Sequence, residues 1–476
     1  MEMLLKALFS GILFFNSLCA AADLFLLKDY LSQVREKHLG YQGSTLMSEG
    51  ALLRSREASL LISPTLVSNL QYLDDQKPTN NPAFLGNRTV YQSYSLGVAQ
   101  QTQFGLLAKL TYNMTRTELS GVNTNFVPMP KFYNAVPSLE LSQSLWRNGL
   151  GSETRATMKL LEAQAKATGF TESLKSKIIL AEAESVYWRL TIAHELVAVA
   201  MSGVERAKKI REWSGRRASL ALADKGDALQ AEAGLQGKQL ELQMALDEER
   251  EASKKFNSMR GQISETTSEE LEKVNAENLL KLAAIEKKGK REDVLAADEA
   301  RTAAQAASQL GRDKNAPTFD LVSSYSLNGR DPSVSKSISD ATQTNQSTFA
   351  VGVKFVAPLE LGTSIADRAG YIKEEKGAEL NYQRKLFDEE MEWNELNLKF
   401  SEAKRRLGLA KEIEKTQQKK LENERARMKM GRSVLYQVVL FEQDYANSQL
   451  LTLKTELQIL AFLSQMKTYL PLGETP

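Results

Sequence analysis

Two hydrophobic rhythms alternate along this chain, and the pair occurs twice. The first rhythm has period two. Thr65 to Tyr72 places Leu66, Leu70 and Tyr72 on one face, and Leu139, Leu141 and Leu145 oppose Ser138, Glu140, Ser142 and Ser144. Phe349, Val351, Val353, Phe355 and Leu359 repeat the pattern in the second half. Apolar and polar residues that alternate in this way predict strands with one greasy and one wet face. Tyr94–Val98 and Leu106–Met114 read as a further hairpin that turns near Phe104–Gly105, and Thr318–Leu327 as one more strand.

The second rhythm is helical. Ile179, Ala183, Val186, Leu190, Ala193, Val197, Ala200, Val204 and Ala207 follow four-three spacing without a miss, which is the seam of a coiled coil. It lies in a helix predicted from Ser152 to Trp213, on the order of 90 Å long at ~1.5 Å per residue. A turn at Ser214–Arg217 is expected to reverse the chain into a return helix ending near Met259. A second long helix is expected from Ser364 towards Lys429, with its return from Ser433 to Tyr469. A shorter helix is expected over 268–310, and another over 23–62 with a break at Gly40. Proline placement agrees with this division. No proline lies between Ser138 and Ala316 or between Leu359 and Leu470, and proline costs roughly 3 kcal/mol in a helix interior.

Matching the copies gives an offset of about 210 residues through the return helices, where Asp227–Glu232 aligns with Gln437–Glu442. The offset is larger across the first strands, because copy one carries about 40 extra residues around the hairpin near 90–130. The domain reading is therefore a leader over 1–21, a first repeat over 22–262 and a second over 263–476. The fold class is mainly α with membrane β.

Composition narrows the function. Net charge is +2 and basic residues alternate with acidic ones, so there is no basic patch for nucleic acid. Lys6, the apolar run Ala7–Phe15 and the small residues Ala20–Ala22 read as a secretory leader. Cys19 is the single cysteine, so there is no disulfide framework; lipidation at Cys19 and plain cleavage beside it are both open. Apart from the leader, no apolar run reaches the ~20 residues of a membrane helix, but a closed barrel satisfies its backbone without one. Two histidines, His38 and His194, stand apart, and no metal, cofactor or catalytic constellation is evident. No enzymatic activity is expected.

Three segments resemble the TolC-like outer-membrane efflux family: Gln143–Gly149 at a strand end, Gly226–Glu232 on the return helix, and the closing Leu470–Gly473. The resemblance covers nearly all of the chain after its leader. It implies a homotrimer in the outer membrane of a Gram-negative bacterium. Four strands per subunit would make a twelve-stranded barrel joined to a coiled-coil helical tunnel in the periplasm. The extra hairpin of copy one either enlarges that barrel or stands outside it. The implied function is a passive exit channel of a tripartite efflux or type I secretion system, opening at its periplasmic tip when docked to an adaptor and an inner-membrane pump. By the same resemblance, adaptor contacts fall at Leu220, Ala221 and Leu222 and at Met430, Gly431 and Arg432. A gate falls at Asp224, Asp227, Arg427 and Gln437. The alternatives are a periplasmic adaptor, which also carries a long helical hairpin, and a coiled-coil scaffold.

Overall fold

A computed structural model describes residues 24–220 and 224–471. The expected leader, Cys19, the tip residues Ala221 and Leu222, and Leu472–Gly473 lie outside the described residues. The elements follow the order α1 (Leu27–Lys37), α2 (Leu39–Arg54), β1 (Thr65–Asp75), α3 (Pro82–Leu85), β2 (Arg88–Gln101), β3 (Leu106–Ser120), β4 (Lys131–Ser144), α4 (Ser152–Ser219) and α5 (Lys225–Met259). Then come α6 (Ala276–Lys281), α7 (Glu292–Lys314), β5 (Thr318–Leu327), β6 (Gly329–Asp331), α8 (Val334–Asp340), β7 (Ser347–Val356), α9 (Leu361–Lys429) and α10 (Leu435–Met466).

They form two compact units. The helical unit contains the described residues up to Gly43, then Ser176–Gly289, then the chain from Trp393 onward. The sheet unit contains Ser44–Lys175 and Lys290–Glu392. Each unit draws on both halves of the sequence.

In the sheet unit one antiparallel sheet has the order β1-β2-β3-β4-β5-β7, with short β6 pairing β4. Helix α7 packs close against α9. An added Cβ at Gly311 would run into the Tyr371 ring, so only glycine permits that approach.

In the helical unit the seam is buried where it is densest: Ala183, Val186, Leu190, Ala193 and Val197 are all under a tenth exposed. The first four join Tyr30, Val34, Tyr187, Phe256 and Met259 in one core. Tyr30 stacks on Phe256 with ring centroids 4.2 Å apart. Its hydroxyl donates to the Phe256 carbonyl (3.2 Å), so the buried polar end is satisfied. A second core joins α6, α9 and α10 through Leu279, Phe400, Leu407, Ile459, Leu463 and Met466.

The structure corrects three element expectations. The helix expected over 268–310 is confined to α7, with only one short helix, α6, before it. Residues 260–275 instead lie extended on the core. Phe25 pairs in parallel with Leu271, Phe25 N–H donates to the Glu270 carbonyl (2.8 Å), and the Asn257 amide donates to the Ser264 and Thr266 carbonyls (3.1 and 3.0 Å). The run Lys287-Lys288-Gly289-Lys290-Arg291 then opposes helix by like-charge repulsion, and Gly289 takes φ +80°. Absence of proline was therefore not sufficient for helix. The turn expected at Ser214–Arg217 is helical: Ser214 is buried, and the Arg217 guanidinium lies 4.8 Å over the Trp213 ring. One glycine, Gly215, costs only about 1 kcal/mol there. The first break falls at His38 rather than Gly40, because the His38 Nδ1 accepts from Tyr41 N–H (3.1 Å) and caps α2.

Candidate functional sites

The first site is the open face of the sheet. Pairing aligns one row through all six long strands: Leu66, Val98, Leu110, Leu139, Tyr325 and Phe349. Every member is apolar and exposed, from 39% at Leu139 to 74% at Leu66. Tyr94, Leu96, Leu321, Val351, Val353 and Phe355 extend the same face. The next row, on the opposite face, reads Val67, Gly97, Thr111, Ser138, Ser326 and Thr348. Hydrogen bonds cross that polar face, between the Thr111 and Ser138 hydroxyls (2.7 Å) and from Lys109 to Glu140 (3.4 Å). An apolar area of this extent on a water-soluble surface would be an aggregation liability. Lipid is the medium that suits it. Among the described residues no helix is long and apolar enough to cross a membrane.

The second site is the pair of helical tips. In copy one Leu220 closes α4 by donating its N–H to the Arg216 carbonyl (3.3 Å), and its side chain is exposed. Asp224 caps α5, its carboxylate accepting from Gly226 N–H (3.1 Å), and Asp227 sits in the first turn. Both acids are exposed.

In copy two α9 ends differently. Gly431 has φ +71°; its N–H donates to the Met428 carbonyl (3.0 Å), and Arg432 N–H donates to the Arg427 carbonyl (2.9 Å). This is the Schellman arrangement, which needs a left-handed residue at Gly431. Met430 and Arg432 are exposed beside it. Arg427 pairs with Glu424 (3.1 Å), and Glu424 also accepts from the Ser433 hydroxyl. Gln437 lies in the first turn of α10, half-buried. Thus Met430, Gly431, Arg432 and Arg427 come together on one turn.

Behind the tips is a network that sequence reasoning missed. Buried Glu442 on α10 accepts from Arg206 on α4 (2.8 Å) and from Arg425 on α9. Lys238 on α5 reaches Gln443 on α10 (2.8 Å). These contacts tie the first hairpin to the second. Glu442 aligns with Glu232, which pairs with Arg211 (2.7 Å).

A third feature lies further down the same bundle. Glu195, Lys411, Glu414, Gln449, Thr452 and Glu456 line a cavity of about 180 Å³. Lys411 is 3.7 Å from Glu456 and 3.4 Å from Glu414. Burial pushes the Glu456 carboxyl up to about 7, against the pull of Lys411 and with the help of Glu195 and Glu414. Burial raises Glu195 as well. Among the described residues no group of three or more His, Cys, Asp or Glu side chains is placed to hold a metal ion.

No protein-family model matches the sequence, and no curated protein matches it. Solved structures do match its fold. The outer-membrane channel OprN aligns at 14% identity with a TM-score of 0.63, covering 93% of this chain and 89% of its own. CusC, described by its transmembrane channel formation, aligns at 12% and 0.64, covering 93% and 91%. The outer-membrane protein VceC of Vibrio cholerae aligns at 13% and 0.63, covering 93% and 95%. At such low identity the likeness defines the fold alone: long helices joined to an antiparallel sheet.

Proposed function

We propose that this chain is a subunit of an outer-membrane exit channel that spans the periplasm and serves an efflux or secretion system without chemistry of its own. The observation that carries the reading is the exposed apolar row Leu66–Val98–Leu110–Leu139–Tyr325–Phe349, backed by a polar face, in a chain that also builds two long helical hairpins. Lipid covers the apolar face; water and cargo meet the polar one. The fold shared with OprN, CusC and VceC supports the same assignment.

The channel is a homotrimer built from two repeats per chain, 22–262 and 263–476, closing a β-barrel and a helical tunnel. Supporting this, α9 carries an exposed stripe at Ile365, Ile372, Leu380, Phe387, Met391 and Leu398, spaced by seven, eight or four residues. Such a stripe packs against a neighbouring helix rather than facing water. The tip residues Leu220, Ala221, Leu222, Met430, Gly431 and Arg432 meet a periplasmic adaptor, which links the duct to an inner-membrane pump. Asp224, Asp227, Arg427 and Gln437 ring the entrance.

The test is electron microscopy of detergent-extracted protein from the outer-membrane fraction. Hollow threefold particles, longer than the ~100 Å of one 68-residue helix, are the expected result. Solid rods, or absence of the protein from that fraction, would reject the channel.

A further inference from the structure

We infer that the barrel wall of this channel has eighteen strands, six from each of three copies, and that the β2–β3 hairpin is part of the wall. The inference rests on the trimeric channel reading above. The family resemblance implies four strands per chain, and six long ones are present in one continuous sheet.

The hairpin is integral to that sheet by three observations. It separates β1 from β4, which do not pair; β1 pairs only β2, and β4 pairs β3 on one side and β5 on the other. It continues both faces without a break. Val98 and Leu110 stand in the apolar row between Leu66 and Leu139, and Gly97 and Thr111 stand in the polar row between Val67 and Ser138. A hairpin folded away from the wall would have no reason to keep that register. Its fit is also close: a Cβ on Gly97 would lie 2.5 Å from the Leu110 carbonyl oxygen, so β2 tolerates only glycine at that position.

The two edges point to the partner. β1 and β7 carry residues exposed along nearly their whole length, with Leu66, Leu70 and Tyr72 on one and Phe349, Val351, Val353 and Phe355 on the other. Both edges offer unpaired backbone and the same apolar face. The six long strands alternate in direction, so β1 and β7 run oppositely. The β7 edge of one copy therefore meets the β1 edge of the next as an ordinary antiparallel neighbour, and cyclic closure removes every edge. At ~4.8 Å strand spacing and ~40° tilt, eighteen strands give a barrel ~36 Å across against ~24 Å for twelve. The membrane exit is then wide.

Single-cysteine variants Leu96→Cys, Leu110→Cys and Leu139→Cys, with Cys19→Ser, are spin-labelled in the full trimer in lipid vesicles. Accessibility to oxygen and to a polar nickel chelate is then read. All three labels are expected to face lipid. If Leu139 faces lipid while Leu96 or Leu110 faces water, the hairpin is outside the wall and the eighteen-strand barrel is overturned with the channel intact. If Leu139 itself faces water, the membrane-barrel reading fails and this inference with it. Strand counting by cryo-electron microscopy of the unmodified protein decides the matter should a variant not fold: eighteen supports the inference and twelve overturns it.

Discussion

The two helical hairpins share one plan and differ where they matter. Copy one pairs Arg211 with Glu232, and copy two pairs Arg425 with Glu442, at corresponding places on the outgoing and return helices. The first pair is open to water, with about half of each side chain exposed; the second carboxylate is 9% exposed and shared with Arg206. Copy one starts its return helix on the Asp224 carboxylate, whereas copy two starts at Val434 with no side-chain cap. Both hairpins carry the same pair of charges. Burial has made one set a joint between hairpins and left the other a surface decoration. In the channel reading, the buried Glu442 joint is the lock that holds the two hairpins together.

The largest expected effect tests that asymmetry. Glu442→Ala leaves the guanidiniums of Arg206 and Arg425 without their shared acceptor; both are partly exposed, so the cost falls below the roughly 3–5 kcal/mol of a fully buried pair. Glu232→Ala removes an exposed pair and is expected to cost less than about 1 kcal/mol. Denaturant unfolding of both variants measures the gap. In planar bilayers Glu442→Ala is also expected to raise conductance while Glu232→Ala leaves it unchanged. Equal losses of stability would erase the distinction between the copies.

A second contrast lies lower in the return helices, where Glu456 occupies the position that matches Leu246 in copy one. Its carboxyl is raised to about 7 by burial, opposed by Lys411 and reinforced by Glu195 and Glu414. A carboxyl raised in the folded state holds its proton longer there than in the unfolded chain. The stability that this carboxyl contributes is therefore fully present below about pH 4.5 and is lost as pH rises through 7. The loss is on the order of 3 kcal/mol. Glu456→Gln is expected to flatten that slope and to be the more stable protein at pH 8. Melting temperatures at pH 5 and pH 8 check it; parallel pH profiles for variant and parent would remove Glu456 as the cause.

What could be read from the sequence follows the range of each interaction. Period-two strands were legible because the faces of Leu139 to Ser144 and Phe349 to Phe355 are written in consecutive residues. The seam from Ile179 to Val197 was legible for the same reason. The extended stretch 260–275 was not, because its conformation depends on Phe25, far away in sequence, and on the Asn257 amide. The tip residues Met430, Gly431 and Arg432 were found as a turn, but the Glu424–Ser433 contact beneath them was not. Nor was the role of Glu442, since a glutamate in a return helix looks alike whether it faces water or two arginines. Helix ends slipped where one glycine, Gly215, was given more weight than its cost warrants.

The smallest expected effects sit at the helix starts, and they invert the comparison. Asp224→Ala removes the cap of α5 and is expected to cost about 1 kcal/mol. Val434→Ser is expected to give α10 the cap it lacks, adding up to about 1 kcal/mol, because Val434 is exposed with an extended backbone (φ −102°, ψ 150°) that suits a capping hydroxyl. The two changes are expected to shift stability in opposite directions without moving conductance. Single-channel recording beside thermal melts separates these outcomes. A conductance change in Val434→Ser alone would mean that the uncapped start of α10 is itself part of the gate, placing the gate at Val434 and Gln437 and taking Asp224 out of it.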